Sequence, residues 1–177
     1  MNYDYRQKLK AEGQHHSNAC WAASLSWWTA AMSLHYKRTT YAQTELLADF
    51  QDQVSLGGGV KPGDLRKVAE SAKIRMELKF IPQADLTKYT FDTPCIVVFD
   101  YPQAGGTHMN VVFDRQGNTV MCMEPFFPIS VPAGEKRKGT YIRRPLNFFM
   151  TNSNSGAQIG VGYLPLKDSM NGTTASY

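Results

Sequence analysis

The chain is short of cysteine: its 177 residues contain three, Cys20, Cys95 and Cys122. An odd number without any C-x-x-C spacing supplies neither a disulfide framework nor a zinc knot. Free thiols suit a reducing compartment. Long apolar runs are also lacking, and nothing approaches the roughly 20 residues of a membrane span. Residues 1–8 lack the apolar segment of a secretory signal, and no long inhibitory pro-segment is expected ahead of Cys20. Charge is sparse, at 19% of residues and a net +4. The basic clusters are brief, Lys136-Arg137-Lys138 and Arg143-Arg144, and read as solvated loops. Neither nucleic acid nor a membrane is therefore expected as a partner. The expected location is the cytoplasm, or a target cell reached through a specialised secretion system.

What remains is an ordinary globular composition, 42% apolar, in a chain of the size of one domain. The expectation is a single domain over 1–177, with a core over about 13–165 and a flexible tail at 166–177. Trp21, Leu25, Trp28 and Met32 recur at helical spacing, so a helix is expected over 19–34, capped by Ser17 or Asn18. Trp27, Trp28 and Trp21 read as packing residues. A second helix is expected over 39–54, with Leu46, Leu47 and Phe50 as its apolar face, broken by Gly57-Gly58-Gly59. A third is expected over 64–72 with Asp64 as N-cap. The texture then changes to strands, at 75–80, 95–99, 109–113, 119–123, 139–143 and a short one at 161–164. Residues 114–118, Asp-Arg-Gln-Gly-Asn, signal a hairpin, and residues 151–160 read as a loop. Helices first and an antiparallel sheet second is an α+β order. Cys95 and Cys122 fall in strands and read as small core residues.

Cys20 is different. It stands in Gln14-His15-His16-Ser17-Asn18-Ala19-Cys20-Trp21-Ala22-Ala23, in the first turn of the expected helix. Unpaired N–H groups and the helix macrodipole favour a thiolate there. His108 stands in Gly105-Gly106-Thr107-His108-Met109-Asn110, opening a strand-like run. The pair can meet only through the fold, at the junction of helices and sheet, where clefts form. Cys20 would then be the nucleophile and His108 its general base. The hairpin returns through 119–123 to Glu124, which comes back near the level of His108 and is the candidate to orient the imidazole. Asp114, at the turn, is the weaker candidate. Gln14, six residues before Cys20, can aim a side-chain amide at an attacked carbonyl and share an oxyanion hole with the Cys20 N–H. His15 and His16 lack further ligands at useful spacing, so neither a metal nor a cofactor is expected.

This pattern resembles the papain-like cysteine peptidases, through Gln14, Cys20-Trp21-Ala22-Ala23, the 106–112 segment and the hairpin ending at Glu124-Pro125. It is similar to compact bacterial branches, the bacteriocin-processing peptidases and the papain-like effectors of plant pathogens, in which the hairpin usually ends in Asp-Pro; Glu124 is a departure. The resemblance implies a helical half, an antiparallel sheet half and a cleft between them. It also implies an acyl-enzyme route on a protein substrate and a role as an effector or antibacterial toxin domain; a compact catalytic core without a visible pro-segment or signal adds the expectation of an inhibitor protein covering the cleft. Transglutaminases and glutamine deamidases share the Cys, His, acid order. Those activities, and a non-catalytic binding module, stay open at the level of sequence.

Overall fold

The computed structural model describes residues 4–61, 63–132, 135–151 and 157–165; the tail expected at 166–177 lies outside them. The helices come first: α1 (Tyr5–Lys8), α2 (Cys20–Ser33), α3 (Gln43–Asp49) and α4 (Leu65–Glu70). Six strands follow, β1 (Glu77–Pro82), β2 (Cys95–Tyr101), β3 (Gly106–Gln116), β4 (Thr119–Glu124), β5 (Thr140–Pro145) and β6 (Gln158–Tyr163). They form one antiparallel sheet in the order β1-β6-β2-β3-β4-β5. This is the α+β architecture expected, a helical half followed by a sheet half. Among the described residues, no helix is long and apolar enough to cross a membrane.

Alternation along the strands divides the core in two. On one face Ile96, Val98, Met109, Val111, Phe113, Met121 and Met123 pack with α2. On the other, Val97, Phe99, Val112, Val120 and Cys122 pack with Leu146, Phe149 and Ile159. Helix α2 is buried nearly all round, with Trp27 and Trp28 almost wholly covered. It carries no charged residue, as a helix enclosed on every side requires. Trp27 stacks on Phe113 at 5.3 Å between ring centroids, and the Trp28 indole donates to the Pro94 carbonyl at 2.8 Å. Ser24, one turn after Cys20, donates to the Met109 carbonyl at 3.0 Å. That bond fastens the start of α2 to the residue beside His108.

Several boundaries differ from expectation. The second helix is shorter, ending at Asp49 and tightening into a 3₁₀ turn over Gln51–Gln53; only Leu46 of its apolar face is fully buried. Asp64 precedes α4, but its carboxylate caps no N–H and binds the Lys67 ammonium at 2.7 Å instead. The last three residues of the expected 151–160 loop, 158–160, belong to β6, because that strand pairs with both β1 and β2. Arg143 and Arg144 belong to β5, not to a solvated loop.

Candidate active site

Cys20 is the first residue of α2, half-buried. The N-cap is Ala19, which has no polar side chain, and not the expected Ser17 or Asn18. A turn closed by the Ala19 N–H on the His16 carbonyl delays the helix by one residue. No side chain therefore caps the first turn of α2, the place in a helix where backbone N–H groups and the macrodipole favour negative charge. Ser17 and Asn18 bind elsewhere: the Ser17 hydroxyl at 3.4 Å and the Asn18 N–H at 3.1 Å both donate to the Gly57 carbonyl. The Trp21 indole donates to the Gly58 carbonyl at 2.7 Å, so Trp21 both packs the core and anchors this loop. Gly57 and Gly58 have φ of 88° and 85°, in the left-handed region that glycine tolerates, and a Cβ on Gly58 would lie 3.0 Å from the His16 Cβ. The glycine run is thus the saddle on which the nucleophile loop rests, beyond its expected role as a helix breaker.

Gln14 is buried. Its main-chain N–H donates to the Pro125 carbonyl at 3.1 Å. Its amide nitrogen donates to the His16 carbonyl at 2.9 Å and more closely to that of Ser17, while Oε1 has no partner. Gln43, which the sequence did not single out, braces the loop. Its amide donates to Glu12 at 3.0 Å and to the Gly13 carbonyl at 3.1 Å, and its oxygen accepts from the His15 N–H at 3.3 Å. Burial raises the Glu12 carboxyl above its ordinary value against the hydrogen bonds from Gln43 and Ser26.

His108 is the third residue of β3, opposite Phe99 of β2, and is 1% exposed. Its Nε2 stands 2.6 Å from Glu124 Oε1. Cys20 lines the same cleft and is the other side chain coupled to the imidazole. Burial alone pushes the imidazole down, but the hydrogen bonds and charges of Cys20 and Glu124 override it and raise it from 6.5 to about 9. Glu124 is 2% exposed. Burial pushes its carboxyl up, yet His108, the Phe126 N–H and Arg144 outweigh burial and hold it below its ordinary value. Oε1 also accepts from the Phe126 N–H at 2.9 Å, and Oε2 from the Arg144 guanidinium at 3.1 Å. The pairing Val111↔Met123, continued one step, sets Glu124 across from Asn110 rather than His108. The carboxylate therefore reaches its imidazole diagonally, a span that favours the longer acid. Asn110 lies beside it, Nδ2 3.2 Å from His108 Nε2. Tyr101, Phe99 and Phe126 surround the imidazole with centroids 5.4, 5.8 and 5.9 Å away.

The fold thus brings Gln14, Cys20, His108 and Glu124 together. Asp114 lies at the far end of β3, paired with Arg143 at 2.8 Å. A cleft of about 500 Å³ opens over the site, lined by Gln14, Cys20, Trp21, Val98, His108 and Phe126 among others. Cys95 and Cys122 are buried in the sheet. Burial pushes the Cys95 thiol up to about 12 and Cys122 upward as well, so both are inert at neutral pH.

No protein-family model matches the chain, and no curated protein sequence does. Among solved structures, the fold is similar to the peptidase domain of Streptococcus ComA, a bifunctional ABC transporter involved in a quorum-sensing pathway. The TM-score is 0.56 at 18% identity, over 88% of this chain and 98% of that domain. This likeness is one of fold.

Proposed function

We propose that the chain is a cysteine endopeptidase, with Cys20 as nucleophile, His108 as general base and acid, Glu124 as orienting carboxylate and Gln14 as oxyanion donor. The observation that carries this reading is the buried Glu124–His108 pair, whose imidazole shares a cleft with the cysteine that opens α2. An imidazolium beside a thiol at a helix N-terminus stabilises a thiolate. The thiol proton passes to His108, and the sulfur attacks the carbonyl carbon of a peptide bond. Charge gathers on the carbonyl oxygen, where the Cys20 N–H and the Gln14 amide can donate to it. In the free enzyme that amide donates to the His16 and Ser17 carbonyls, so it must release one of them to serve the oxyanion. His108 then protonates the departing amine, leaving a thioester. Water gives a proton to His108 as it attacks that thioester, which releases the acid and restores the thiol. Glu124 holds the ring in orientation through both steps.

The fold likeness to a peptidase domain supports hydrolysis of peptide bonds over other acyl chemistry. The wider role we propose is that of a bacterial effector or antibacterial toxin domain, acting in the cytoplasm or after delivery into a target cell, with an inhibitor protein that covers the cleft. The test is to expose a proteome to wild type and to Cys20→Ala and to map new protein N-termini by mass spectrometry. New termini that depend on Cys20 are expected. Glutamine-to-glutamate conversion without new termini would make the chain a deamidase.

A further inference from the structure

The carboxylate that serves His108 does not stand alone in its pocket. On its far oxygen sits Arg144, with a side chain 14% exposed and Nη2 at 3.1 Å. Arg144 lies in β5 opposite Val120, on the face of the sheet that also carries Cys122 and Glu124. Its register partner is thus well short of Glu124, and the side chain must run along the sheet to reach the carboxylate. An aromatic bed fixes that path. The guanidinium carbon lies 3.7 Å from the centre of the Phe148 ring and 6.0 Å from that of Tyr101. Phe148 packs edge-on against Tyr101 at 5.5 Å, and Tyr101 packs on the His108 ring. The bed that holds the arginine therefore also walls the imidazole.

Resting on the reading of Glu124 as the orienting residue, we infer that Arg144 is a positioning residue that acts on His108 through Glu124. It locks the carboxylate in the diagonal rotamer that reaches Nε2. A glutamate has one more rotatable bond than an aspartate, and a diagonal contact leaves it further from its cross-strand partner. Three donors consume that freedom: the His108 ring and the Phe126 N–H on Oε1, and Arg144 on Oε2. Of these, only Arg144 binds the oxygen that His108 does not use. A planar guanidinium clamped on a ring loses little freedom in making the bond.

The groups facing the pair come from several elements. They are Cys20 of α2, Tyr101 of β2, Asn110 of β3, Cys122 of β4 and Arg144 of β5, with Arg137 stacked behind Phe126 at 3.9 Å. Removing Arg144 can act on His108 in two opposed ways. As a bare positive charge, its loss would favour the imidazolium and move the alkaline limb of activity to higher pH. As a lock, its loss lets Glu124 leave Nε2, and the limb moves to lower pH.

The experiment measures turnover of fluorophore-labelled casein against pH by folded Arg144→Met, Glu124→Gln and the double variant. For Arg144→Met, kcat is expected to fall about 10- to 100-fold, the scale for a misplaced catalytic group, with KM little changed and the alkaline limb at lower pH. The double variant is expected to be no slower than Glu124→Gln, because a residue acting through Glu124 has nothing left to act on. Should Arg144→Met not fold, Arg144→Lys carries the same test with a smaller loss. A limb that stays in place or moves to higher pH overturns the inference, as do losses that multiply in the double variant. Wild-type turnover in Arg144→Met beside a crippled Glu124→Gln removes Arg144 alone. Wild-type turnover in Glu124→Gln removes the orienting role of Glu124 itself.

Discussion

The two sides of the cleft are built by different physics. On the nucleophile side, Gln14 to Trp21 is held by main-chain carbonyls and glycines: Pro125, Gly57 and Gly58 fix the loop, with Gln43 behind it. Its half-buried carboxyl, Glu12, is held by the neutral donors Ser26 and Gln43. On the base side, a buried chain of charge runs from His108 through Glu124 to Arg144, inside a sheet. The contrast suits the roles proposed for each. The thiolate and the oxyanion need N–H groups aimed at one point, which backbone supplies rigidly. The imidazole must gain and lose a proton while keeping its orientation, which needs a fixed counter-charge.

The largest effect should come from the atoms that react. Cys20→Ala and His108→Ala are each expected to lower turnover about 10⁴-fold or more while circular dichroism stays that of wild type. Rates within tenfold of wild type in either would end the proposed chemistry.

The base side should next break in a pH-dependent way. Glu124→Ala is expected to lose about 10³-fold in kcat, and its remaining activity should fail at lower pH than wild type. Stability carries the same signature. His108, raised from 6.5 to about 9, contributes fully below 6.5 and loses its contribution as pH rises through 9. Glu124, held below 4.5, contributes above that value and loses its contribution as pH falls beneath it. The gap in urea midpoint between wild type and Glu124→Gln should therefore be widest between about 4.5 and 6.5, and close at both ends. A gap independent of pH would mean that packing rather than charge holds the pair. Asp114→Ala, at the far end of the hairpin, should run near the wild-type rate.

The nucleophile side should instead lose rate with little change in pH profile. Gln14→Ala is expected to cost about 10²-fold, read as a fall in kcat with both limbs in place. A shifted alkaline limb would show that Gln14 acts on His108 and not on the oxyanion. Gly58→Ala should be milder. A side chain at φ of 85°, 3.0 Å from the His16 Cβ, costs about 1–3 kcal/mol, seen as a lower Tm with a few-fold loss of rate. An unchanged Tm would mean that the saddle yields without cost.

The same contrast explains what the sequence made legible. Cys20 and Gln14 lie close together in the chain, and a helix start is a local signal. His108 and Glu124 are joined by one hairpin, so counting residues back from its turn brings them together, although the register sets Glu124 across from Asn110 and its reach to His108 is diagonal. Arg144 was not legible. It stands next to Arg143, and two arginines in a row read as a solvated pair until the strand turns them to opposite faces. Arg143 then meets Asp114 and Arg144 meets Glu124. Gln43 was hidden for another reason: a buried amide that binds only main chain and a neighbouring acid has no signature in spacing. The N-cap of α2 was missed because a turn puts Ala19 there, and Asp64, rightly read as the N-cap of α4, turns its carboxylate to Lys67 instead of to an N–H. Neither competition is visible in propensity.

The central proposal is that His108, held by a buried carboxylate, activates Cys20 as the nucleophile. The most direct measurement is the rate of alkylation of Cys20 by iodoacetamide at mildly acidic pH, followed by mass spectrometry in wild type and His108→Ala. An ordinary thiol is almost wholly protonated under those conditions. Cys20 should react there in wild type while Cys95 and Cys122 do not, and that reaction should collapse in His108→Ala. Equal alkylation of Cys20 in the two proteins would contradict the account.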